Sequence, residues 1–338
     1  MATPQDCSIN VATESTYGTY VAGTRAFEFD DESFTFEPTR AEGEGLKVSA
    51  RTKLAYRSVD TVKAGSGSLT IPAMTKGMGI LLSAACGTNS VTLVSGSTYQ
   101  HNFTLGDTPA SLSIQKSIPR TTSGTVDPYS FLGCMVSSWS FDGANSEIPS
   151  FSFDFDVRNL DTAQAFASLT YPSLGVGSIY SFKDSAALYG GTLTVPTTTA
   201  LGTGATAVTD VRDFKLEVNN NLTDDRFNIG GAGLKSKPTV GMREISGSFT
   251  AEYEATTYRD DFLANTSRPL VVTYTSAESL STGTSTLQFV LPDVKLRSAI
   301  PVANKGDLVT VEHNFTAYQT TTSAQAIYVV LRTADTAI

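Results

Sequence analysis

The segment FSFDFDV, residues 151–157, alternates apolar and polar residues without a break. Successive side chains of a β-strand point to opposite faces, so this segment predicts a strand with one buried face and one solvated face. REISGSFTAEY, residues 243–253, has the same period. A chain built on such segments is expected to fold into antiparallel sheets that expose a polar face.

The composition agrees with a mainly β fold. The chain has 27 Gly, 18 Phe and 13 Tyr but only 2 His, a balance of strand-filling aromatics and turn residues. Short helical patterns occur at residues 75–87 and 258–266, and Gly87 stands where a helix end commonly takes glycine. A length of 338 residues suits roughly two domains.

One arrangement of motifs occurs twice along the chain. GEGLK (43–47) and GAGLK (231–235) are each followed by an alternating strand and then by a short helical pattern. The strands align on Gly67 and Gly247. Further along each half, FSFDFDVRN aligns with VTVEHNFTA, and this alignment places Asp154 beside Glu312. Any two antiparallel domains share alternation and glycine turns, but the common order favours a duplication.

The duplication predicts two tandem, mainly β domains, each built from one strand, hairpin, helix and strand unit. The predicted division is an N-terminal arm at 1–24, a first domain at 25–195, a Thr- and Gly-rich linker at 196–210 and a second domain at 211–338.

The formal net charge of −9 argues against a protein that grips nucleic acid, because tight binding needs Lys and Arg to displace phosphate counterions. An acidic surface suits a passage along which a polyanion slides. No apolar run is long enough for a membrane span, and the start lacks signal-peptide features. We therefore expect a soluble chain made in a cytoplasm, with Cys7, Cys86 and Cys134 reduced.

No residue set predicts catalysis or a cofactor. His101 and His313 both lie inside strand patterns and are expected to be structural. The acidic neighbours form neither an EF-hand nor a glycosidase pair and are expected to be solvated turns. These are Asp30-Asp31-Glu32, Asp224-Asp225 and Asp260-Asp261.

From about residue 12 to residue 335, the chain resembles the tail tube (major tail) proteins of long-tailed bacteriophages. The segments that carry the resemblance are ESTYGTYVAGTRAFEF, GEGLK, TKGMGILLSAACG, NNNLTDDRFNIGGAGLK, REISGSFTAEY and LRTAD. The resemblance implies two tandem tube domains of β-sandwich or barrel type, each with one short flanking α-helix and a long hairpin loop. It also implies a non-enzymatic virion protein, made in the host bacterial cytoplasm, whose rings stack into a tube for the DNA genome. Implied partners are other copies of itself, the tape measure protein, the tail terminator and the distal tail proteins, without membrane insertion.

Many members of that family carry one tube domain and form hexameric rings, so a duplicated chain raises the question of ring size. If each domain gives four strands to an inner barrel, three chains complete about 24 strands, enough for a duplex to pass. A hexamer would need one copy to lie outside the barrel. We favour a trimer with pseudo-sixfold symmetry.

Two sets of residues are candidates for function. The polar side chains of the two aligned strands are expected to line the lumen of the tube. The alternative is that they face the solvent outside it. These residues are Ser66, Ser68, Thr70, Glu244, Ser246, Ser248, Thr250 and Glu252. The two long loops match the family's ring-stacking loop, with candidates Arg40, Glu44, Lys47, Arg51, Lys53, Asp224, Arg226, Lys235 and Lys237. The alternative function is a carbohydrate-binding or adhesive decoration protein.

Overall fold

The computed structural model describes residues 3–302, 308–321 and 323–338. The predicted mainly β fold is confirmed. The strands of the first half are β1 (Ser8–Thr13), β2 (Arg25–Phe27), β3 (Asp31–Glu32), β4 (Thr35–Glu42), β5 (Ser58–Pro72), β6 (Gly87–Ser95), β7 (Thr98–Leu105), β8 (Leu112–Pro119), β9 (Val126–Gly143), β10 (Ser150–Val157) and β11 (Asn159–Asp161).

The second half continues with strands of similar length. They are β12 (Ser185–Thr194), β13 (Thr203–Val208), β14 (Phe214–Asn219), β15 (Glu244–Glu252), β16 (Arg268–Ser279), β17 (Thr284–Leu296), β18 (Thr310–Ala317) and β19 (Tyr328–Thr333). Short 3-10 helices occupy Pro4–Asp6, Ala55–Arg57 and Phe182–Asp184.

The two predicted helices are confirmed as α1 (Gly79–Cys86) and α2 (Thr257–Leu263). Gly87 ends α1 in the left-handed conformation, with φ of 95°, and its N–H donates to the carbonyl of Ser83. A left-handed residue after the last turn is the usual way to satisfy terminal carbonyls, and glycine takes that conformation without strain.

The central sheet has eight strands in the order β4-β5-β10-β9-β14-β15-β18-β17, all antiparallel. Its buried face carries the apolar phase that the alternation predicted, including Phe151, Phe153 and Phe155. The pairing of β9 with β14 joins the two halves of the chain edge to edge. The halves therefore share one continuous sheet.

Two further sheets cover the buried face. One has the order β2-β1-β8-β9-β11, and the other has the order β13-β12-β16-β17-β19-β7-β6. The long strands β9 and β17 leave these sheets and continue into the central sheet, so they hold the layers together. A single apolar cluster fills the space between the layers.

Seven strand pairings of the first half recur in the second. The pairings β1–β2, β1–β8, β8–β9, β9–β11, β9–β10, β10–β5 and β4–β5 have counterparts in β12–β13, β12–β16, β16–β17, β17–β19, β17–β18, β18–β15 and β14–β15. The β6–β7 hairpin is an addition of the first half, and it pairs across to β19.

These pairings differ from the predicted domain boundaries at both ends of the first domain. Residues 8–13 form buried β1 inside the predicted N-terminal arm, while 203–208 form β13 inside the predicted linker. β12, predicted within the first domain, pairs with β13 and with β16 of the second half. SINVAT alternates only over residues 8–11, and TGATAV consists mostly of small residues, so neither segment is a strong strand signal.

The hydrogen-bond register also corrects one detail of the alignment. Gly67 lies opposite Phe155, and Gly247 lies opposite Phe315. Asp154 therefore corresponds to Asn314 and not to Glu312. A shift of two residues preserves the alternation of a strand, so sequence periodicity cannot detect it.

Candidate functional site

The exposed side of the central sheet forms a continuous surface, called here the polar face. One row of directly opposed residues crosses six of its strands, and directly opposed residues lie on the same side of a sheet. The row runs through Thr70, Ser152, Ser140, Glu217, Ser246 and Thr316. The polar phases of both halves thus belong to one surface.

All eight residues predicted to line a lumen lie on the two strands that carry this phase, β5 and β15. Ser66, Glu244 and Ser246 are exposed, Ser248 is buried at 9% exposure, and the other four are half-buried. Ser66 and Ser246 occupy equivalent positions, because each lies one residue before the glycine that faces a phenylalanine of the next strand. Whether this face borders a lumen stays a prediction.

The polar face carries charges that the sequence interpretation did not assign to it. Its exposed carboxylates include Asp154, Glu217, Glu244, Glu312 and the edge residues Asp31 and Glu37, and its exposed cations include Lys215 and Arg297. Lys215 is paired with Asp142 across the β9–β14 junction, with 3.1 Å between Nζ and Oδ2. The carboxylates outnumber the cations among these exposed groups, so the face is predominantly acidic. The alternation of DFKLEVNN, residues 213–220, was the signal that could have added Lys215 and Glu217.

The loop between β14 and β15, residues 220–243, folds back onto the first half through its GAGLK motif. The N–H of Lys63 on β5 donates to the carbonyl of Gly233, at 2.8 Å, and Leu234 forms a parallel bridge with Lys63. Gly233 has φ of 77°, and a Cβ there would lie 2.7 Å from the carbonyl oxygen of Thr61. Only glycine allows both this conformation and this approach.

A buried ion pair anchors the same motif. Lys235 Nζ contacts Asp156 Oδ1 on β10, and both side chains are only 8% exposed. Burial raises the pKa of Asp156, and the neighbouring Lys235 ammonium opposes that rise. Arg158 fixes the backbone of the motif, because its Nε donates to the carbonyl of Lys235 at 3.0 Å. Lys235 is therefore an internal anchor in the isolated chain, unlike the other stacking candidates.

The loop of the first half, between β4 and β5, is exposed and does not dock on the described part of the chain as GAGLK does. β4 and β5 extend as an exposed two-stranded ribbon, and GEGLK lies at its tip with the side chains of Leu46 and Val48 almost fully exposed. The candidates of both loops other than Lys235 are all exposed. Arg40 pairs with Asp60 along the ribbon, and Lys53 pairs with Glu42.

The residues predicted to be structural are buried. Trp139 belongs to the core, and His101 and His313 bond through ring nitrogens to the carbonyls of Asp335 and Ser298. Burial lowers the pKa of both histidines. The described ranges contain no cluster of His, Cys, Asp and Glu that could hold a metal ion. Nor does any helix in them have the length and apolar character to cross a membrane.

Fold and surface together define a mainly β protein with a broad polar sheet face and two long loops at the same end of that sheet. Residues 4–327 match the family model described as phage tail tube protein. The match covers nearly the whole chain, and the protein belongs to the phage tail tube protein family. A search of the curated proteins finds no match.

Proposed function

We propose that three copies of this chain close into a ring with pseudo-sixfold symmetry, and that such rings stack into the tube that conducts the phage genome. The observation that carries the proposal is the junction of β9 with β14. It joins two units of the same topology, 8–161 and 185–333, into one sheet within the chain. We infer that the same kind of junction is repeated between chains.

The edges needed for such a junction are present. β4 corresponds to β14, and among the described residues its outer edge has no strand partner. β17 corresponds to β9. After it, Ser298 still bonds to β18, but residues 299–302 pair with no strand in the described part of the chain. Ile300 and Val302 in that segment are 58% and 70% exposed. Unpaired strand edges with apolar side chains readily add another strand.

Barrel geometry favours three copies over six. Eight strands from each of three chains give about 24 strands, and strands about 4.8 Å apart at a tilt of about 45° then enclose a backbone radius of roughly 26 Å. Side chains of roughly 6 Å on each wall leave a bore of roughly 40 Å, wide enough for duplex DNA. Six chains would give about 48 strands and a radius of roughly 52 Å.

The polar face suits the inside of this barrel. DNA binds tightly where Lys and Arg displace the counterions of its phosphates. The polar face consists mainly of hydroxyls and carboxylates and has few such cations, so DNA could move along it without being held. The tape measure protein, which would occupy the bore before ejection, and the tail terminator and distal tail proteins, which would cap the tube, follow as partners from family membership. In the virion, the chain would therefore be a tail component.

Negative-stain electron microscopy of the purified protein tests the ring directly. We expect stacked rings whose averaged end views show six similar lobes with threefold symmetry. Dispersed particles that bind carbohydrate would support a decoration protein instead, and end views with twelve lobes would show a hexamer of whole chains.

The edge contact can be tested separately. Ile300→Asp with Val302→Asp places charges on the free segment and should prevent ring closure, leaving folded monomers in size-exclusion chromatography. Val176→Asp is the control, because Val176 is another exposed apolar residue but lies outside the proposed contact. Normal rings from the double variant would exclude this edge.

A further inference from the structure

The docking of GAGLK within the chain has an empty counterpart in the second unit. Because Gly67 and Gly247 hold equivalent positions, Lys63, Asp156 and Arg158 correspond to Arg243, Thr316 and Tyr318. These three counterparts line a single groove of about 890 Å³. No segment within the described ranges fills this groove as GAGLK fills the site on the first unit.

The chain also contains a second copy of the motif that fills the first site. GEGLK differs from GAGLK at one residue, Glu44 in place of Ala232. GAGLK is folded against its own chain, whereas GEGLK has Leu46 fully exposed at the tip of the ribbon. GAGLK is therefore docked on the first unit, whereas its copy GEGLK is free. The equivalent site on the second unit is open.

The direction of docking indicates which groove the free motif can reach. The loop with GAGLK starts at β14 and crosses the β9–β14 junction to the preceding unit. The loop with GEGLK starts at β4, which is the edge strand of the central sheet among the described residues, so no unit of the described chain precedes it there. The corresponding preceding unit is the second unit of the neighbouring chain.

We propose that GEGLK of one chain docks in the groove formed by Arg243, Thr316 and Tyr318 of the neighbouring chain in the same ring. The inference rests on the proposed ring. By correspondence with the Lys63–Gly233 bond, the N–H of Arg243 donates to the carbonyl of Gly45, and Leu46 packs beside Met242, which is 88% exposed in the isolated chain.

Both surfaces carry charges of both signs, and the guanidinium of Arg243 already donates to the Asn220 side chain and the Gly106 carbonyl. GEGLK brings Glu44 and Lys47, and the groove holds the cation Arg243 together with the carboxylates Asp107 and Glu244. The counterpart of Asp156 is Thr316, so the docked Lys47 lacks the buried carboxylate that anchors Lys235. The contact between chains is therefore weaker than the one within the chain, which suits a contact that forms only on assembly.

Cross-linking of the full chain tests the proposal. A Cys7→Ser background removes the one cysteine that is not buried. Leu46→Cys with Met242→Cys then places two thiols at the proposed contact, and a short bismaleimide joins them. The internal standard is Leu234→Cys with Val62→Cys, the equivalent pair, which should cross-link within one chain. Replacing Met242→Cys by Val176→Cys is the negative control.

The cross-linked products distinguish the arrangements. Docking within a ring joins each chain to the next until the ring closes, so a denaturing gel should show a ladder that ends at the trimer. A ladder that extends without limit would place GEGLK between rings and overturn the proposal. Monomers alone from protein that forms rings in micrographs would also overturn it. Absence of rings from the unaltered protein would overturn the proposed function itself.

A loss-of-contact variant gives a second measurement. Leu46→Asp should leave the circular dichroism spectrum unchanged, because Leu46 contacts solvent in the isolated chain. Ring formation should require at least about tenfold more protein, the cost of roughly one lost apolar contact. An unchanged concentration dependence would contradict docking of this residue.

Discussion

The ion pair between Asp156 and Lys235 holds the loop between β14 and β15 against the first unit. Asp156 is 7% exposed, and its Oδ2 has no hydrogen-bond partner among the described residues. Its Oδ1 contacts Lys235, so the pair is satisfied only while GAGLK stays docked. A buried carboxylate without its cation is costly, so Lys235 stabilises the docked state of the motif.

Lys235→Met should release the loop. Loss of the cation from a buried pair costs about 3 kcal/mol, and hydrogen exchange at the Lys63 amide should rise on the order of 100-fold. That amide is the reporter because it donates to Gly233. Adding Asp156→Asn should restore part of the protection. Lys237→Met is the control at an exposed site, and an equal effect there would contradict the anchor.

The two buried histidines should make stability fall in mild acid. Burial lowers the pKa of His101 and of His313 below the ordinary value of 6.5, so the unfolded chain binds more protons. Their contribution is present above pH 6.5 and is lost as the pH falls below it, at up to about 1.4 kcal/mol per pH unit for each histidine.

Urea unfolding at pH 7.5 and pH 5.0 measures this contribution. The difference in unfolding free energy between the two conditions should shrink in His101→Gln with His313→Gln. Carboxylates titrate equally in both proteins and cancel in the comparison. An undiminished difference in the double variant would show that the histidines do not titrate on unfolding.

At the scale of elements, the sequence predicted strands and helices well and connections poorly. FSFDFDV and REISGSFTAEY alternate strictly, and both are strands whose apolar phase is buried. β1 was missed because its alternation spans only residues 8–11, and β13 was missed because most of its residues are small. The different conformations of the two long loops depend on contacts that are remote in sequence, such as Lys63 with Gly233, and no local pattern encodes those.

Close approach explains a glycine at the centre of β15. A Cβ on Gly247 would lie 2.2 Å from the carbonyl oxygen of Lys215 and 2.5 Å from the ring of Phe315. Gly247→Ala should therefore destabilise the protein by about 1–3 kcal/mol, measured by urea unfolding. Gly175→Ala is the matched control because nothing lies within 4 Å of its added Cβ. Equal stability of the two variants would contradict this packing.

At the scale of the whole molecule, the repeat was readable from motif order, but the junction between its copies was not. The sequence shows that GEGLK and GAGLK precede similar strands. It does not show that β9 meets β14, because strands that pair across units carry no signal beyond their own alternation. The alternation of residues 213–220 could have placed Lys215 on the polar face, but its contact with Asp142 across the junction could not be predicted.

The position of the polar face makes a prediction about genome passage. Ser66→Lys with Ser246→Lys changes two exposed, equivalent positions, so a trimeric ring would gain six cations inside the bore. Lysines bind phosphate by releasing counterions, and DNA release from particles carrying the variant should slow at least about tenfold at low salt. The slowing should diminish as salt rises, because released counterions then gain less entropy.

A matched variant separates position from charge. Ser90→Lys with Ser95→Lys adds the same charge on exposed positions of β6, outside the polar face. Release from these particles should keep its normal rate, and both variants should form tubes of normal appearance in micrographs. If the variants slowed release equally, net charge and not the bore would be responsible. If neither slowed it while tubes formed, the polar face would have to lie on the outside of the tube.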